Sequence, residues 1–544
     1  MSHRRTILLY GGILLFFFVV VCRLYQTAQN TTYAARAAEQ TVTTLPLDTA
    51  RGNFYDRDGE PLTGIDTCYY ALCVPGEQSY ATLFDQVSYA QQSVLYQKRN
   101  AAVPFLIQVS QDLTDSGIYT VTGRQRYSDW PVCTHLIGYL DGEGHGVSGL
   151  EAALDELLQA DGAAAYVQCV TNAQGALMED TQPIYYEASE TGADVQLTID
   201  SGVQRACEGI ADSMMARGCV LVLSVEDAQV LACVSRPDFD PNHVEDSIEA
   251  QDTALLNRAF SAYAVGSVFK PVLAAAALEK GQAWHTLDCV GYLQVSDHIY
   301  RCAGGVPHGE TDLAGALEKS CNCYFIELGQ ALGAHTLETY AAAFGFGQPV
   351  YLAGGLKAAA GNLPDESQLE DLGQQANFSF GQGALLATPV QVAGMMNTIA
   401  ADGVYRTPTF LLRTFSAADG TTKQTWEAPE ARTVVQPETA RTLQKMLAGV
   451  VSDGLGREAQ PTWGTAAGKT GTAQTGRYDP EGEEYKNLWF AGFYPAEDPQ
   501  YTIVVMQDDQ TETVNSSAAI FSRVCDALAL LDGTETAAET GEIS

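Results

Sequence analysis

One continuous apolar segment near the N-terminus constrains this chain more than any other feature. Residues 6–22, TILLYGGILLFFFVVVC, carry no charge, and Arg4 and Arg5 precede them. As a helix this segment would reach roughly 25 Å, enough for one membrane span at the short end of the usual range. The positive flank predicts a cytoplasmic N-terminus. We therefore predict a cytoplasmic stub at 1–5, a transmembrane anchor at 6–24 and an extracytoplasmic remainder.

Two other interpretations of the apolar segment remain open. A cleavable signal peptide would use the small residues at 34–38, but the apolar run is longer than the roughly 7–15 residues of a signal core. A buried helix of a cytosolic protein is the weaker alternative, because no comparable apolar run occurs elsewhere. We favour an uncleaved anchor.

The composition of the remaining chain is that of a globular protein. Hydrophobic residues make up 46% and charged residues 18%, which excludes a disordered, collagen-like or wholly membrane-embedded chain. The 544 residues predict two or three domains. A net charge of −36 repels phosphates and argues against nucleic acid as a partner. Thirteen cysteines are too few for a disulfide scaffold.

A change of pattern near residue 190 divides the globular part. The segment 40–187 mixes strand-like runs with a helical run at 148–159, where Ser148 and Glu151 have the spacing of a capping box. The segment 190–532 alternates strands and long helices, and residues 533–544 form an acidic tail. We predict two extramembrane domains, 40–187 and 190–532.

Two strand pairs bracket the second predicted domain. Residues 220–227 and 229–235 flank a tight turn, as in a β-hairpin, and residues 488–494 and 501–506 form a second antiparallel pair. Helix-forming runs lie between them. Strands at both ends with helices in the middle predict an α/β (α+β) fold whose sheet is completed by distant segments.

Ser267 and Lys270 stand three residues apart at the start of a predicted helix that Gly281 ends. This spacing places both side chains on one helix face, and Pro271 fits only the first turn. A serine hydroxyl becomes nucleophilic when a neighbouring base removes its proton, and a buried neutral lysine can be that base. Alone the pattern is weak, because a capping serine beside an exposed lysine gives the same spacing.

Two further motifs follow in a fixed order. Ser320-Cys321-Asn322 begins 53 residues after Ser267, and Lys469-Thr470-Gly471 precedes the second strand pair. Each alone is typical of loops and turns. The ordered trio Ser-x-x-Lys, Ser-x-Asn and Lys-Thr-Gly is the known signature of penicillin-recognising serine enzymes.

The chain resembles the class B penicillin-binding proteins, the membrane-anchored D,D-transpeptidases that cross-link peptidoglycan. The resemblance runs from the anchor nearly to the tail. Besides the trio it rests on RGNFYDRDG (51–59), HLIGY (135–139), SGLE (148–151), LTID (197–200), SRP (235–237), NRAF (257–260), FGQG (380–383) and TP (388–389). It implies a transpeptidase domain like the serine β-lactamases at 190–532, standing on a mixed α+β pedestal of the dimerisation type at 40–187.

The resemblance assigns the chemistry to three residues. Ser267 would attack the carbonyl of a D-Ala-D-Ala stem peptide, Lys270 would be the base, and Ser320 would relay a proton to the leaving amine. The acyl group would pass to an amine on a neighbouring strand, and β-lactams would trap the same serine.

The remaining motif residues would bind substrate. Asn322 would hold the amide of the donor peptide, and Lys469 with Thr470 would bind its terminal carboxylate. Gly471 would let the strand edge approach the substrate, and the backbone N–H groups of Ser267 and Thr472 would face the oxyanion. No metal or organic cofactor is implied.

Two other functions stay open. A D,D-carboxypeptidase or β-lactamase would release the acyl group to water, although compact hydrolases lack a pedestal. The other alternative is not an enzyme: a non-catalytic penicillin-binding scaffold of the wall-synthesis machinery. Because class B proteins have no glycosyltransferase domain, the resemblance also implies a separate polytopic glycan polymerase of the elongation, division or sporulation type as partner.

The cysteines near the second motif have no assigned role. Cys289 and Cys302 could form a disulfide, could remain buried thiols, or could bind a metal together with His308. Cys321, inside the Ser-x-Asn motif, is expected to contribute packing only.

Overall fold

The computed structural model describes residues 3–29, 42–74, 77–101, 103–171, 177–178, 182–187, 192–250, 253–427, 430–511 and 514–533. The small residues at 34–38 and the acidic tail beyond Gly533 lie outside this part of the chain.

The α-helices of the described residues are α1 (His3–Ala28), α2 (Glu77–Phe84), α3 (Tyr89–Gln97), α4 (Thr134–Ile137), α5 (Gly149–Ala153), α6 (Asp155–Leu158), α7 (Ser201–Met214), α8 (Val244–Ala250), α9 (Lys270–Glu279), α10 (Leu313–Glu318), α11 (Asn322–Leu332), α12 (Ala334–Ala343), α13 (Glu366–Leu369), α14 (Leu372–Ser379), α15 (Pro389–Ala400), α16 (Pro437–Ser452) and α17 (Ser517–Leu531).

The strands are β1 (Val42–Arg51), β2 (Phe54–Tyr55), β3 (Asp66–Cys73), β4 (Phe105–Val109), β5 (Thr120–Gln125), β6 (Gln159–Val170), β7 (Ile184–Glu187), β8 (Ala193–Leu197), β9 (Gly218–Ser224), β10 (Val230–Arg236), β11 (Leu287–Cys289), β12 (Tyr292–Val295), β13 (His298–Arg301), β14 (Gly309–Thr311), β15 (Tyr351–Ala353), β16 (Leu356–Lys357), β17 (Val404–Tyr405), β18 (Leu411–Ser416), β19 (Thr422–Thr425), β20 (Arg432–Thr433), β21 (Ala467–Tyr478), β22 (Glu484–Tyr494) and β23 (Tyr501–Gln510).

Helix α1 contains the predicted membrane anchor. It is the helix of the described residues that is long and apolar enough to cross a membrane, and its side chains are exposed along its length. An isolated helix with apolar side chains on all sides is stable in lipid, where no water competes for its backbone. The structure thus confirms a candidate single-pass span.

The chain forms two compact units, and each of them is built from three separate segments of the sequence. The first contains residues 1–51, 65–126 and 160–191, and the second contains residues 52–64, 127–159 and 192–544. Parts of the predicted 40–187 domain, at 52–64 and 127–159, therefore belong to the second unit. In the first unit, strands pair in the orders β1-β6-β7 and β4-β3-β5.

A five-stranded sheet organises the second unit. Its strand order is β10-β9-β23-β22-β21, and each neighbouring pair is antiparallel. Side chains of β9 alternate between two cores: Leu221 packs on one face, and Val220 and Val222 pack on the other with α7 and α17. Because both faces are covered, the inner strand β9 is buried and apolar almost throughout. The predicted α/β fold and both predicted strand pairs are confirmed.

The predicted capping box at Ser148 and Glu151 is wrong. The run splits into α5 and α6 at Leu154, and the Ser148 side chain makes no capping hydrogen bond. Glu151 is fully buried and accepts a hydrogen bond from the Tyr127 hydroxyl at 3.0 Å. Gly149, at φ +58°, packs against the Ile137 carbonyl, so tertiary packing overrides the local helix signal.

Candidate active site

Ser267 lies on a 3₁₀ turn, Gly266–Phe269, that continues directly into α9. Gly266 adopts φ +60°, and its N–H donates to the Gly381 carbonyl at 2.8 Å. A Cβ at Gly266 would lie 2.6 Å from the Thr472 carbonyl oxygen, and one at Gly381 would lie 1.9 Å from the Gly266 oxygen. The half-buried Ser267 is therefore held between two backbone segments that only glycines allow to approach so closely.

Lys270 connects the first motif to the second. Its fully buried ammonium donates to the Ser320 carbonyl at 2.8 Å, to Ser320 Oγ at 3.1 Å and to Asn322 Oδ1 at 2.8 Å. Burial lowers the pKa of Lys270 to about 7, against the opposing influence of nearby cysteine thiols. A lysine with this pKa exchanges a proton readily near neutral pH.

The second motif is shaped by the start of α11. Ser320 adopts the left-handed conformation at φ +52°, uncommon for a residue other than glycine. Cys321 is the N-cap, and its Sγ accepts a hydrogen bond from the Tyr324 N–H. Asn322 opens the helix and donates through Nδ2 to the Arg301 carbonyl at 3.0 Å. These local bonds aim the oxygens of Ser320 and Asn322 at Lys270.

The third motif lies on β21, at the edge of the sheet. Lys469 is fully buried, and its ammonium makes long hydrogen bonds to Thr470, at 3.3 Å to the carbonyl and 3.2 Å to Oγ1. Burial and then repulsion from Lys270 lower the pKa of Lys469 well below its ordinary value. Within the described ranges neither lysine forms a salt bridge with a carboxylate. The pair is suited to an anionic ligand.

Gly471 and Thr472 follow Thr470 on β21, the edge strand of the sheet. A Cβ at Gly471 would meet Val268 Cγ1 at 2.9 Å and the Val265 carbonyl at 3.0 Å, so glycine is required for β21 to lie against the turn that carries Ser267. Thr472 is exposed and pairs with Leu488 of β22. All eight predicted site residues thus lie in the second unit: on the Ser267 turn and the first residue of α9, at and just before the start of α11, and on β21.

One predicted contact is not formed. Among the hydrogen bonds of the described residues, none joins Ser267 Oγ to Lys270 Nζ, because Lys270 is directed to Ser320 and Asn322. Catalytic hydrogen bonds often tighten only when substrate binds. The role of Lys270 as base stays a prediction.

The sequence did not predict two side-chain hydrogen bonds to the backbone just before the nucleophile turn. Trp489 Nε1–H donates to the Ala264 carbonyl at 3.0 Å, and Asn487 Nδ2 reaches the same oxygen at 3.5 Å. Trp489 is directly opposite Gly471 on β22. The strand signal located this tryptophan, but nothing local to it indicates a contact with residue 264.

The cysteines around the second motif form a cluster that could hold a metal. Cys289, Cys302, His308 and Cys321 place one ligand atom each within 4.8 Å of all the others. The four cysteines of this region, with Cys323 included, are free thiols. The Cys289 and Cys302 sulfurs lie 3.7 Å apart, without a bond between them.

Comparisons with known proteins agree with this geometry. The family model described as "Penicillin binding protein transpeptidase domain" matches residues 218–526, more than half of the chain. Stage V sporulation protein D of Bacillus subtilis is 31% identical over 74% of this chain and 63% of its own length. PbpB of Mycolicibacterium smegmatis is 32% identical over 75% of this chain and 65% of its own length. These matches span just under two thirds of those relatives.

Solved structures match most of the chain. Penicillin binding protein 3 of Mycobacterium tuberculosis in complex with ampicillin is 25% identical, with a TM-score of 0.65 over 90% of this chain and 96% of that chain. The D,D-transpeptidase domain from Eggerthella lenta, 22% identical with a TM-score of 0.65 over 89% of this chain and 99% of that chain, shows the same fold. With the family match covering the sheet and all three motifs, the chain belongs to the class B penicillin-binding proteins.

Proposed function

We propose that this chain is a peptidoglycan D,D-transpeptidase that works through an acyl-enzyme on Ser267 and is inhibited by β-lactams. The observation that carries the proposal is the pair of fully buried lysines beside Ser267, one bonded to Ser320 and Asn322 and the other without a carboxylate partner among the described residues. A buried, unpaired ammonium is costly unless an anion binds it. The terminal carboxylate of a stem peptide is such an anion.

The first half-reaction forms an ester. Ser267 Oγ bonds to the carbonyl carbon of the penultimate D-Ala while its proton passes to neutral Lys270. The oxyanion faces the N–H groups of Ser267 and Thr472. When the C–N bond breaks, the proton travels from Lys270 through Ser320 to the leaving D-Ala, consistent with the 3.1 Å contact between those two side chains.

The second half-reaction transfers the acyl group. An amine from a neighbouring strand attacks the ester carbonyl and restores Ser267, and its proton returns along the same path. Asn322 holds the donor amide, while Lys469 and Thr470 hold the carboxylate of the donor before it leaves. A β-lactam presents the same carboxylate and carbonyl, but its amine stays tethered, so the ester persists.

The localisation and the membrane partner are inferred from the anchor helix α1. Arg4 and Arg5 lie in the first turn of α1, before its apolar run, and support a cytoplasmic N-terminus with the catalytic unit outside. The exposed apolar surface of α1 is available to a polytopic glycan polymerase within the membrane. A reporter that is active only outside the cytoplasm, fused after residue 29, tests the orientation; activity only from a cytoplasmic reporter would reverse it.

The function is tested by labelling the full chain, in detergent, with a fluorescent penicillin. We expect a covalent band that persists for many minutes in the wild type and in Ser213→Ala, an exposed serine of α7, but is absent from Ser267→Ala. A band that decays within seconds would favour a hydrolase. A folded wild type without a band would favour the non-catalytic scaffold.

A further inference from the structure

An exposed arginine, Arg301, lies beside the second catalytic motif. It is the last residue of β13, and its backbone carbonyl accepts a hydrogen bond from Asn322 Nδ2 at 3.0 Å. Its side chain is exposed, and within the part of the chain that the structure describes its guanidinium forms no hydrogen bond or ion pair. The guanidinium can therefore take an anion from outside the chain.

The fold fixes the face of the strand on which Arg301 lies. The preceding residue, Tyr300, is buried, its hydroxyl donates to the Gly373 carbonyl at 3.1 Å, and its ring contacts that of Phe380. Because successive side chains of a strand point to opposite faces, burial of Tyr300 places Arg301 on the outer face. There it is directly opposite the exposed Tyr292 of β12.

The side-chain amide of Asn322 connects Arg301 to the substrate. The Lys270 ammonium can only donate, so it faces Oδ1, and the Arg301 carbonyl can only accept, so it faces Nδ2. Nδ2 carries two N–H groups, and the second is available for the donor amide that Asn322 is proposed to hold. Two acceptors on one amide nitrogen stand about 5 Å apart when each hydrogen bond is about 2.9 Å long. The donor amide would therefore lie about 5 Å from the Arg301 carbonyl oxygen.

We propose that Arg301 binds a carboxylate on the donor residue that precedes the D-Ala-D-Ala end, and so selects donors that are anionic at this position. The inference rests on the proposed function, because it takes Asn322 as the group that holds the donor amide. That amide joins the penultimate D-Ala to the preceding residue, whose side chain therefore leaves the peptide beside Arg301. The planar guanidinium, with its fork of N–H groups, matches the geometry of a carboxylate.

Arg301 would determine specificity and take no part in bond breaking. The two buried lysines have other tasks, since Lys270 is bonded to Ser320 and Asn322, and Lys469 is assigned to the terminal carboxylate. Arg301 is a separate cation, placed on the acyl side of the bond that Ser267 attacks. Its removal should therefore change the relative rates of two ligands that differ in charge on this side, and leave the chemistry common to both.

Two penicillins that differ in one group test the proposal. Carbenicillin carries a carboxylate on the carbon next to its side-chain carbonyl, where benzylpenicillin carries hydrogen, and this carbon corresponds to the α carbon of the donor residue. The full chain in detergent is acylated by each in competition with a fluorescent penicillin. Arg301→Met should lower the ratio of the carbenicillin rate to the benzylpenicillin rate about three- to fivefold, as expected for an exposed ion pair. Arg301→Glu should lower it further, and Arg523→Met, an exposed arginine of α17, should leave it unchanged.

The ratio separates recognition from a structural role. Equal slowing with both penicillins in Arg301→Met would mean that the residue only supports Asn322, and an unchanged ratio in Arg301→Glu would mean that it does not face the ligand; either result overturns the proposal. Salt provides a test without any substitution: the ratio should fall in the wild type as ionic strength rises, and a ratio independent of salt would contradict us. A wild type that neither penicillin acylates would refute the proposed function itself, and this inference with it.

Discussion

At the scale of single residues, Lys270 controls how the site responds to pH. Burial lowers its pKa to about 7, from an ordinary 10.5. If neutral Lys270 takes the proton of Ser267, acylation should rise about tenfold per pH unit below pH 7 and level off above it. Acylation rates of the full chain with a fluorescent penicillin, measured across this range, check the profile. A flat profile would contradict the role, and Lys423→Met, on the exposed strand β19, should leave the profile unchanged.

The same pKa predicts how stability depends on pH. Between about pH 7 and 10.5 the unfolded chain keeps a proton on Lys270 that the folded chain has lost. The contribution of Lys270 to the free energy of unfolding therefore rises with pH across that window. Below pH 7 the folded protein bears the full cost of burying the charged ammonium. Chemical denaturation of Lys270→Met should show a weaker rise than the wild type. An identical rise in both proteins would argue against the lowered pKa.

Lys469 should contribute nothing to the stability of the folded protein, or lower it, while acylation depends on it. Its buried ammonium has only long hydrogen bonds to Thr470 and is repelled by Lys270. Lys469→Met should leave the free energy of unfolding unchanged or raise it by about 1–2 kcal/mol, because the cost of burying the charge disappears. Acylation should fall at least about 100-fold, because the carboxylate of the ligand loses its partner. A marked loss of stability in thermal melts would show that the ammonium is satisfied in the folded protein.

At the scale of elements, Trp489 joins strand β22 to the turn that carries the nucleophile. Trp489→Phe keeps the ring packing but removes the N–H that binds the Ala264 carbonyl. We expect about a tenfold slower acylation, since one buried hydrogen bond is worth roughly 1–1.5 kcal/mol, with initial penicillin binding unchanged. The exposed Trp284→Phe is the control. A change in binding alone would place Trp489 in ligand recognition instead.

The contact between the nucleophile turn and the loop at Gly381 depends on glycine. Gly381 and Gly420 both have positive φ, +81° and +71°, but a Cβ would lie 1.9 Å from the Gly266 oxygen at Gly381 and in open space at Gly420. Gly381→Ala should lower the free energy of unfolding by at least about 3 kcal/mol, and Gly420→Ala by about 1. Urea unfolding compares them, and equal losses would show that backbone conformation alone sets the cost.

At the scale of the whole molecule, α1 should hold the protein in the membrane. Leu15 and Phe16 lie near the middle of this helix, where aspartate costs about 2.5–3.5 kcal/mol each on insertion scales. The double variant Leu15→Asp, Phe16→Asp should leave the membrane fraction in an alkaline carbonate wash. Tyr25→Asp, near the helix end, should remain. Retention of the double variant would point to attachment elsewhere in the chain.

The sequence alone determined the features that depend on local order. The apolar run predicted α1, alternating residues predicted the paired strands β9 with β10 and β22 with β23, and the ordered motifs predicted the family. These signals are carried by neighbouring residues or by fixed order along the chain, so no tertiary contact is needed to read them. Pro271 and Gly281 likewise marked the start and end of α9 correctly.

Only the tertiary structure decided the features made by distant segments. It directed Lys270 to Ser320 and Asn322 and buried Lys469. It also placed the Trp489 indole within hydrogen-bond distance of the Ala264 carbonyl, and it ended the helical run at Leu154. Burial and hydrogen bonding depend on which segments pack together, and burial is what shifts the pKa of both lysines. Residue types and spacing identify the chemistry, whereas packing sets the charge and position of each group.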